Sequence, residues 1–175
     1  MQPKVTLYIA ASLDGYIARP DGGIDWLRMV ERPGEDYGYA AFYGSVDGVI
    51  SGSKTFELAR GFEPWPYAGK PCYVFSARPL DGARDDVIAA GRDIAAGMAT
   101  IRTRAHSHLW LVGGGALINS FQRAGLIDEY IVSTIPLLLG AGIPLFPPPG
   151  IEQELKLLSC KHYESGLTQN HYRRI

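Results

Sequence analysis

Residues 109–121 read Leu-Trp-Leu-Val-Gly-Gly-Gly-Ala-Leu-Ile-Asn-Ser-Phe, an apolar run that leads into three glycines and then into a helical pattern. Because glycine has no side chain, the backbone of such a turn can approach a phosphate closely. The exposed N–H groups and the positive end of the helix dipole then hold the anion. The segment therefore predicts a nucleotide-binding turn between a strand and a helix.

The position of this turn argues against the standard dinucleotide-binding fold. That fold places Gly-x-Gly-x-x-Gly after its first strand, with an acidic residue about 20 positions later. Here Gly113-x-Gly115 is followed by Ile118, lies in the last third of the chain and meets no acid at the end of the next strand. A second glycine-rich turn, residues 48–55, has three residues between its glycines and a serine before its lysine, so it fails the P-loop spacing.

The composition fits one domain that binds a small molecule. The chain has 175 residues, 46% of them hydrophobic, which is enough for one compact core. A net charge of -1 with scattered Lys and Arg gives no basic surface for nucleic acid or an anionic membrane. Cys72 and Cys160 are too few for a disulfide framework, and the histidines show no metal-ligand spacing, so we expect no metal. Without a signal segment, we expect a cytoplasmic protein with reduced thiols.

Strands and helices alternate along the chain. Strands are predicted at residues 5–11, 46–50, 71–76, 87–89, 109–112 and 130–135, with two more between 154 and 175 that join near 164–166. Helices are predicted after Ser53 or Thr55, after an N-cap at Asp93, and from the glycine turn to a C-cap at Gly125. This order predicts an α/β fold with a mostly parallel central sheet and an antiparallel C-terminal hairpin. Ligands of such sheets bind at the carboxyl ends of the strands.

Three ordered motifs and one further segment carry a family resemblance. They are Ser-Leu-Asp-Gly-Tyr-Ile-Ala at residues 12–18, Gly-Ser-Lys-Thr-Phe-Glu at 52–57, Val-Gly-Gly-Gly-Ala at 112–116, and Pro-Leu-Leu-Leu-Gly-Ala-Gly-Ile-Pro-Leu-Phe at 136–146. Nearly end to end, the chain resembles the dihydrofolate reductase-like superfamily, and within it the riboflavin-biosynthesis RibD C-terminal reductase-like branch. The resemblance implies one domain over residues 1–175, with a three-layer fold around about eight strands and NADPH extended across the strand ends.

The resemblance also implies a cofactor site. It places Ser53, Lys54 and Thr55 at the cofactor's phosphates, and Ser76 with Arg78 at the 2′-phosphate, where a guanidinium favours NADP over NAD. It further implies a cis peptide bond between Gly113 and Gly114. The full implied set of cofactor-binding residues is Ala10, Ile17, Gly52, Ser53, Lys54, Thr55, Ser76, Arg78, Val112, Gly113, Gly114, Gly115, Ala116 and Leu117.

Asp36 is the candidate catalytic residue. It lies sixteen residues before Gly52, the spacing at which dihydrofolate reductases carry the acid that binds the pterin. As a proton source it would need a pKa raised by desolvation, and water is the alternative source. A solvated acid at a helix start is the other interpretation of Asp36.

Two further candidates for substrate binding also have two interpretations each. Asp14 is either a contact near the nicotinamide end or a turn former, and Trp26 is either a wall of the substrate site or a core residue. Pro-Trp-Pro-Tyr at residues 64–67 either lines the cleft or covers the core.

The resemblance implies hydride transfer from NADPH to a C=N or C=O carbon of a small pyrimidine- or pterin-like substrate. In the riboflavin branch this substrate is 5-amino-6-(5-phosphoribosylamino)uracil. Two alternatives to this activity are dihydrofolate reduction and NADPH sensing without turnover. The family also implies a homodimer, and the apolar residues 137–145 serve either as its contact or as core.

Overall fold

The computed structural model describes residues 2–80 and 84–175. Within them, the strands are β1 (Lys4–Ser12), β2 (Tyr16–Ala18), β3 (Gly48–Gly52), β4 (Cys72–Phe75), β5 (Val87–Gly91), β6 (His108–Gly113), β7 (Glu129–Ile135), β8 (Ile143–Pro144), β9 (Leu155–His162) and β10 (Thr168–Arg174). The α-helices are α1 (Tyr39–Ser45), α2 (Ser53–Ala59), α3 (Ile94–Arg102) and α4 (Gly115–Arg123), and a 3-10 helix spans Asp25–Val30.

Eight strands form one sheet in the order β5-β4-β3-β6-β1-β7-β10-β9. Every neighbouring pair from β5 to β7 is parallel, whereas β10 runs antiparallel to both β7 and β9. This confirms the predicted mostly parallel sheet with an antiparallel C-terminal hairpin. The carboxyl ends of β1, β3, β4 and β6 consequently lie at one edge, and the amino ends lie at the other.

Several boundaries and elements differ from the sequence prediction. The strand predicted at residues 46–50 begins at Gly48, because α1 continues to Ser45 and the N–H of Val46 still bonds the carbonyl of Tyr43. The sequence does not predict the 3-10 helix, and it indicates α1 only through the interpretation of Asp36 as an acid at a helix start. Nor does it predict the small sheet in which β2 pairs with β8, whose strands have only three and two residues.

The three predicted helices begin in two different ways. Helix α3 is capped as predicted, since the carboxylate of Asp93 accepts the N–H of Ala96 at 2.8 Å. Helices α2 and α4 instead follow Gly52 and Gly114, and no side chain of the described residues caps either start. Gly125 lies just beyond α4 with φ +64, which confirms the predicted glycine C-cap.

The two faces of the sheet have separate cores because successive strand residues point to opposite faces. On one face, β1 and β6 pack against α3 and α4 through residues that include Leu7, Leu111, Met98, Ile101 and Phe121. On the other face, the sheet packs against α1, α2 and the 64–67 loop through residues that include Val49, Trp110, Phe42, Phe56 and Trp65. No helix in the described part of the chain has both the length and the apolarity needed to span a bilayer.

Candidate active site

A cleft of about 1700 Å³ opens at the carboxyl edge of the sheet. It is lined by the ends of β1, β3, β4 and β6, together with the starts of α2 and α4 and the segment from residue 20 to residue 39. Thirteen of the fourteen residues expected to bind the cofactor line it, and the exception is Gly113. The turns that the sequence places far apart therefore do converge on one space.

Two glycine-led helix starts lie side by side in this cleft. A Cβ atom on Gly52 would stand 3.4 Å from the carbonyl oxygen of Gly113 and 3.6 Å from the nitrogen of Gly114. The Gly113–Gly114 peptide bond is cis, as predicted, and Gly113 has φ +131, a conformation that favours glycine. Since neither α2 nor α4 carries a side-chain cap within the described residues, their first N–H groups can bind an anion.

A basic corner continues the cleft beyond β4 and β5. The Ser76 hydroxyl accepts the N–H of Arg78 at 3.0 Å and donates to its carbonyl at 2.9 Å, which fixes the turn after β4. Arg78 lines the cleft from this turn, and Arg92 lines it from the turn after β5. Sequence analysis missed Arg92. The signal available in the sequence was that Arg92 follows directly after β5, whose parallel neighbour β4 is followed by the Arg78 turn.

The opposite end of the cleft has an aromatic floor. The Tyr8 ring stacks on Phe42 with centroids 4.3 Å apart, and it meets Trp110 edge-on at 6.3 Å. Burial raises the pKa of Tyr8 to about 12, so its hydroxyl keeps its proton at neutral pH. Tyr39 and Trp110 also line this end.

A small polar group joins the aromatic floor. The Gln169 amide nitrogen donates to the Ser133 hydroxyl at 3.0 Å, and it lies 3.4 Å from the Tyr8 hydroxyl. Sequence analysis missed all three residues. Polar side chains within otherwise apolar strands were the signal, because a buried polar group needs a partner or a function.

Residues 73–169 match the family model of the RibD C-terminal domain. The chain belongs to this family. It is 41% identical over 175 residues to the uncharacterized protein YwjB of Bacillus subtilis (strain 168), and the alignment covers 99% of each chain.

Solved structures agree with this assignment. A protein of Shewanella sp. PV-4, described as a riboflavin biosynthesis protein, matches with TM-score 0.89 and 32% identity over 98% of this chain and 99% of that one. A deaminase/reductase of Thermotoga maritima matches in fold, with TM-score 0.73 and 14% identity over 99% of this chain and 57% of that one. The RibD C-terminal family is reductase-like and lies in the dihydrofolate reductase-like superfamily.

Asp36 lines the aromatic end of the cleft of this RibD C-terminal domain, but its side chain is exposed. Its carboxylate accepts the N–H groups of Ala40 at 2.9 Å and Gly38 at 2.8 Å, at the start of α1. These backbone bonds lower the pKa of Asp36 below its ordinary value. The raised pKa that a proton source would need is therefore contradicted, and the local geometry is that of the other interpretation, a solvated acid at a helix start.

Asp14 lies outside the large cleft, beside a smaller depression. Its carboxylate accepts the Ser12 hydroxyl at 2.5 Å and the N–H groups of Leu139 at 3.1 Å and Gly140 at 2.7 Å. The Ser12 bond, together with these backbone bonds, lowers the pKa of Asp14. The bond from Ser12 is local to the turn, as the turn interpretation expects, whereas the bonds from Leu139 and Gly140 attach the 136–146 segment, a role that the sequence did not predict.

Two aromatic candidates are core residues. Trp26, in the 3-10 helix, is 4% exposed and packs with Val30, Ile135 and Leu167. These three neighbours line the cleft, whereas Trp26 lies behind them. Trp65 is 7% exposed and packs in the core beside α2. The 64–67 loop serves both expected purposes, since its Tyr67 is buried and also lines the cleft.

Proposed function

We propose that this protein is an NADPH-dependent reductase of a small heterocyclic substrate with a C=N or C=O group. The observation that carries the proposal is the pair of adjacent, glycine-led helix starts that open on one cleft, beside Lys54, Arg78 and Arg92 in its lining. Membership of a reductase-like family supports the same conclusion.

The residues present fit a phosphorylated dinucleotide. Bare backbone at residues 113–115 allows close approach of a pyrophosphate, and the unpaired N–H groups at the start of α4 suit its charge. The guanidinium of Arg78, beside the Ser76 turn, suits a 2′-phosphate and favours NADPH over NADH. When bound, NADPH supplies a hydride.

At the other end of the cleft, the protein orients the substrate. The Ser133 hydroxyl can donate a hydrogen bond to a ring carbonyl or ring nitrogen. The protonated Tyr8 hydroxyl donates to the Tyr37 carbonyl at 3.3 Å and can accept a hydrogen bond from a ring N–H. Asp36 is exposed, and two backbone N–H groups lower its pKa further below that of an ordinary aspartate, so it is a poor proton donor at neutral pH. We therefore propose that water, rather than Asp36, supplies the proton of the reduction.

The first substrate to test follows from the relatives. The Thermotoga maritima protein of the same fold is described as a 5-amino-6-(5-phosphoribosylamino)uracil reductase. We propose a reaction of the same type here, the reduction of a ribosylaminopyrimidine at its sugar carbon.

NADPH binding and turnover test this proposal. Fluorescence titration should show tighter binding of NADPH than of NADH, and the reduced nicotinamide absorbance should fall when a ribosylaminopyrimidine is added. Gly114→Val should abolish binding because its side chain fills the space between the helix starts, whereas Gly150→Val, at an exposed glycine with open space around it, should not. Absence of NADPH binding would refute the proposal. Tight binding without oxidation by pyrimidine, pterin or aldehyde would indicate a sensor instead.

A further inference from the structure

Basic and acidic side chains line different halves of the cleft. The basic half is formed by α2 and the turns after β4 and β5, and it holds Lys54, Arg78 and Arg92. The acid in this half, Glu57, forms an ion pair with Arg60 at 3.1 Å. This half suits the phosphates of a dinucleotide.

The other half of the cleft is acidic. The segment from residue 20 to residue 39 contributes four carboxylates to the lining, those of Asp21, Glu31, Glu35 and Asp36, and one guanidinium, that of Arg32. The Arg32 Nη1 atom already donates to the carbonyls of Met29 at 3.2 Å and of Glu31 at 2.8 Å. These bonds to neutral carbonyls leave its charge in place, so Arg32 offsets one of the four carboxylates and this half of the cleft keeps an excess of negative charge.

The surface between these acids suits a flat, uncharged ring. Tyr8, Tyr39 and Trp110 provide aromatic walls, and Val30 and Leu167 add apolar surface. Ser133 and the Tyr8 hydroxyl are neutral hydrogen-bonding groups at its floor. Such walls bind planar heterocycles through ring contacts and a few directed hydrogen bonds.

We propose that the substrate of this reductase is a planar heterocycle that carries no phosphate group, an inference that rests on the proposed function. A phosphate in the acidic half would meet four carboxylates and one guanidinium, whereas Lys54, Arg78 and Arg92 lie in the half that we assign to the cofactor's phosphates. Like charges in a cleft act against a ligand even where its ring fits. The chain would then act on the nucleoside form of a ribosylaminopyrimidine, or on a similar neutral ring, rather than on its 5′-phosphate.

The test compares 5-amino-6-(ribosylamino)uracil with its 5′-phosphate on protein saturated with NADPH. Tryptophan fluorescence gives the dissociation constants, and loss of the nicotinamide absorbance gives kcat/KM. We expect at least about a tenfold preference for the unphosphorylated compound in binding, a typical effect of like-charge juxtaposition. Equal or tighter binding of the phosphate, or no binding of either compound, would overturn the inference.

A charge variant tests the cause of the preference. Glu31→Gln combined with Glu35→Gln should tighten binding of the phosphate several-fold, and added salt should do the same in the wild type because it screens exposed charges. The matched control, Glu152→Gln with Glu154→Gln, alters exposed acids outside the cleft lining and should leave the preference as it is. A preference that neither salt nor the first variant reduces would contradict the charge argument.

A separate titration distinguishes the two proposals. NADPH binding is measured first, without any substrate. Failure at this step refutes the proposed function. Normal NADPH binding followed by a preference for the phosphorylated compound refutes this inference alone.

Discussion

Arg78 and Arg92 converge on the same corner of the cleft from the ends of two parallel strands. Arg78→Ala should weaken NADPH binding about tenfold, in line with the loss of an exposed charge-assisted hydrogen bond, and should change NADH binding less than about twofold. Fluorescence titration with both cofactors checks this. Arg102→Ala removes an exposed arginine at the end of α3, outside the cleft, and should alter neither constant. Equal losses for both cofactors would refute the 2′-phosphate assignment.

Sequence analysis predicted which residues reach the cleft more accurately than it predicted the pKa and burial of individual side chains. Ser53 and Arg78 were correctly placed at the cleft because each follows a strand end. The pKa of Asp36 is lowered, not raised as a proton source would need, because the N–H groups of Gly38 and Ala40 stabilise the carboxylate at the helix start that the second interpretation of this residue allowed. The burial of Trp26 depends on Ile135 and Leu167, which are distant in the chain.

At the scale of elements, the start of α4 is packed tightly against the segment that includes β8. A Cβ on Gly115 would overlap the carbonyl oxygen of Pro144 and would lie 3.5 Å from Pro147. Gly115→Ala should therefore cost about 1–3 kcal/mol of stability, as overpacking does, and should weaken NADPH binding by displacing the helix start. Thermal unfolding with and without NADPH measures both effects.

Gly44→Ala is the control for this prediction. Gly44 lies in α1 with open space where a Cβ would go, so alanine should be neutral or should stabilise by up to about 1 kcal/mol through helix propensity. An unfolding temperature of Gly115→Ala equal to that of the wild type would show that the β8 segment adjusts freely.

The regular elements could be predicted from the sequence because their signals are local. Strands β1, β6 and β7 have continuous apolar or β-branched runs, and α3 has a capping aspartate. Strands β2 and β8 could not be predicted, since their pairing is set by the contact of Gly142 with Ala18 across more than a hundred residues. That pairing positions Ile17 and Ile143 in the cleft lining.

The expected homodimer stays a prediction, and strand β9 offers a second candidate surface for its contact. Of the expected 137–145 contact, Leu145 is core at 4% exposure and Leu138 is 67% exposed. Strand β9, at the end of the sheet, exposes Leu157 at 52% and Leu158 at 37%. Exposed leucines on an edge strand favour association. We expect sedimentation to give twice the 19.1 kDa chain mass, and Leu157→Lys with Leu158→Lys to give a monomer.

Leu138→Lys is the comparison for the dimer prediction. A dimer that only Leu138→Lys dissociates would place the contact on the 136–146 segment instead. A wild type that sediments as a monomer would contradict the expectation of a homodimer altogether.

At the scale of the whole molecule, the cleft and the ionic network around the buried Glu129 lie at opposite edges of the sheet. Glu129 opens β7 at the amino edge and is 5% exposed. Its carboxylate accepts Arg173 at 2.9 Å, His171 at 3.0 Å and Lys4 at 3.3 Å. The seven residues of β7, at about 3.3 Å each, put roughly 20 Å between this network and the cleft edge.

This separation predicts that the ionic network and the cofactor contribute to stability independently. Burial alone would raise the pKa of Glu129, but hydrogen bonds from Arg173 and His171 and the charge of Lys4 lower it below its ordinary 4.5. A folded-state pKa below the unfolded one stabilises the fold above about pH 4.5, and this contribution is lost as the pH falls through the folded-state value. Glu129→Gln should thus cost about 1–3 kcal/mol at pH 7, and this difference should shrink in acid.

Chemical denaturation of Glu129→Gln and wild type at pH 7 and in acid, each with and without NADPH, tests this independence. Because effects at distant sites add, NADPH should raise the stability of both proteins by the same amount at pH 7. Glu152→Gln, an exposed acid, is the control and should follow the wild type throughout. A smaller NADPH increment in Glu129→Gln would mean that the strands transmit changes from the amino edge to the cleft, and that stability and cofactor binding are coupled in this sheet.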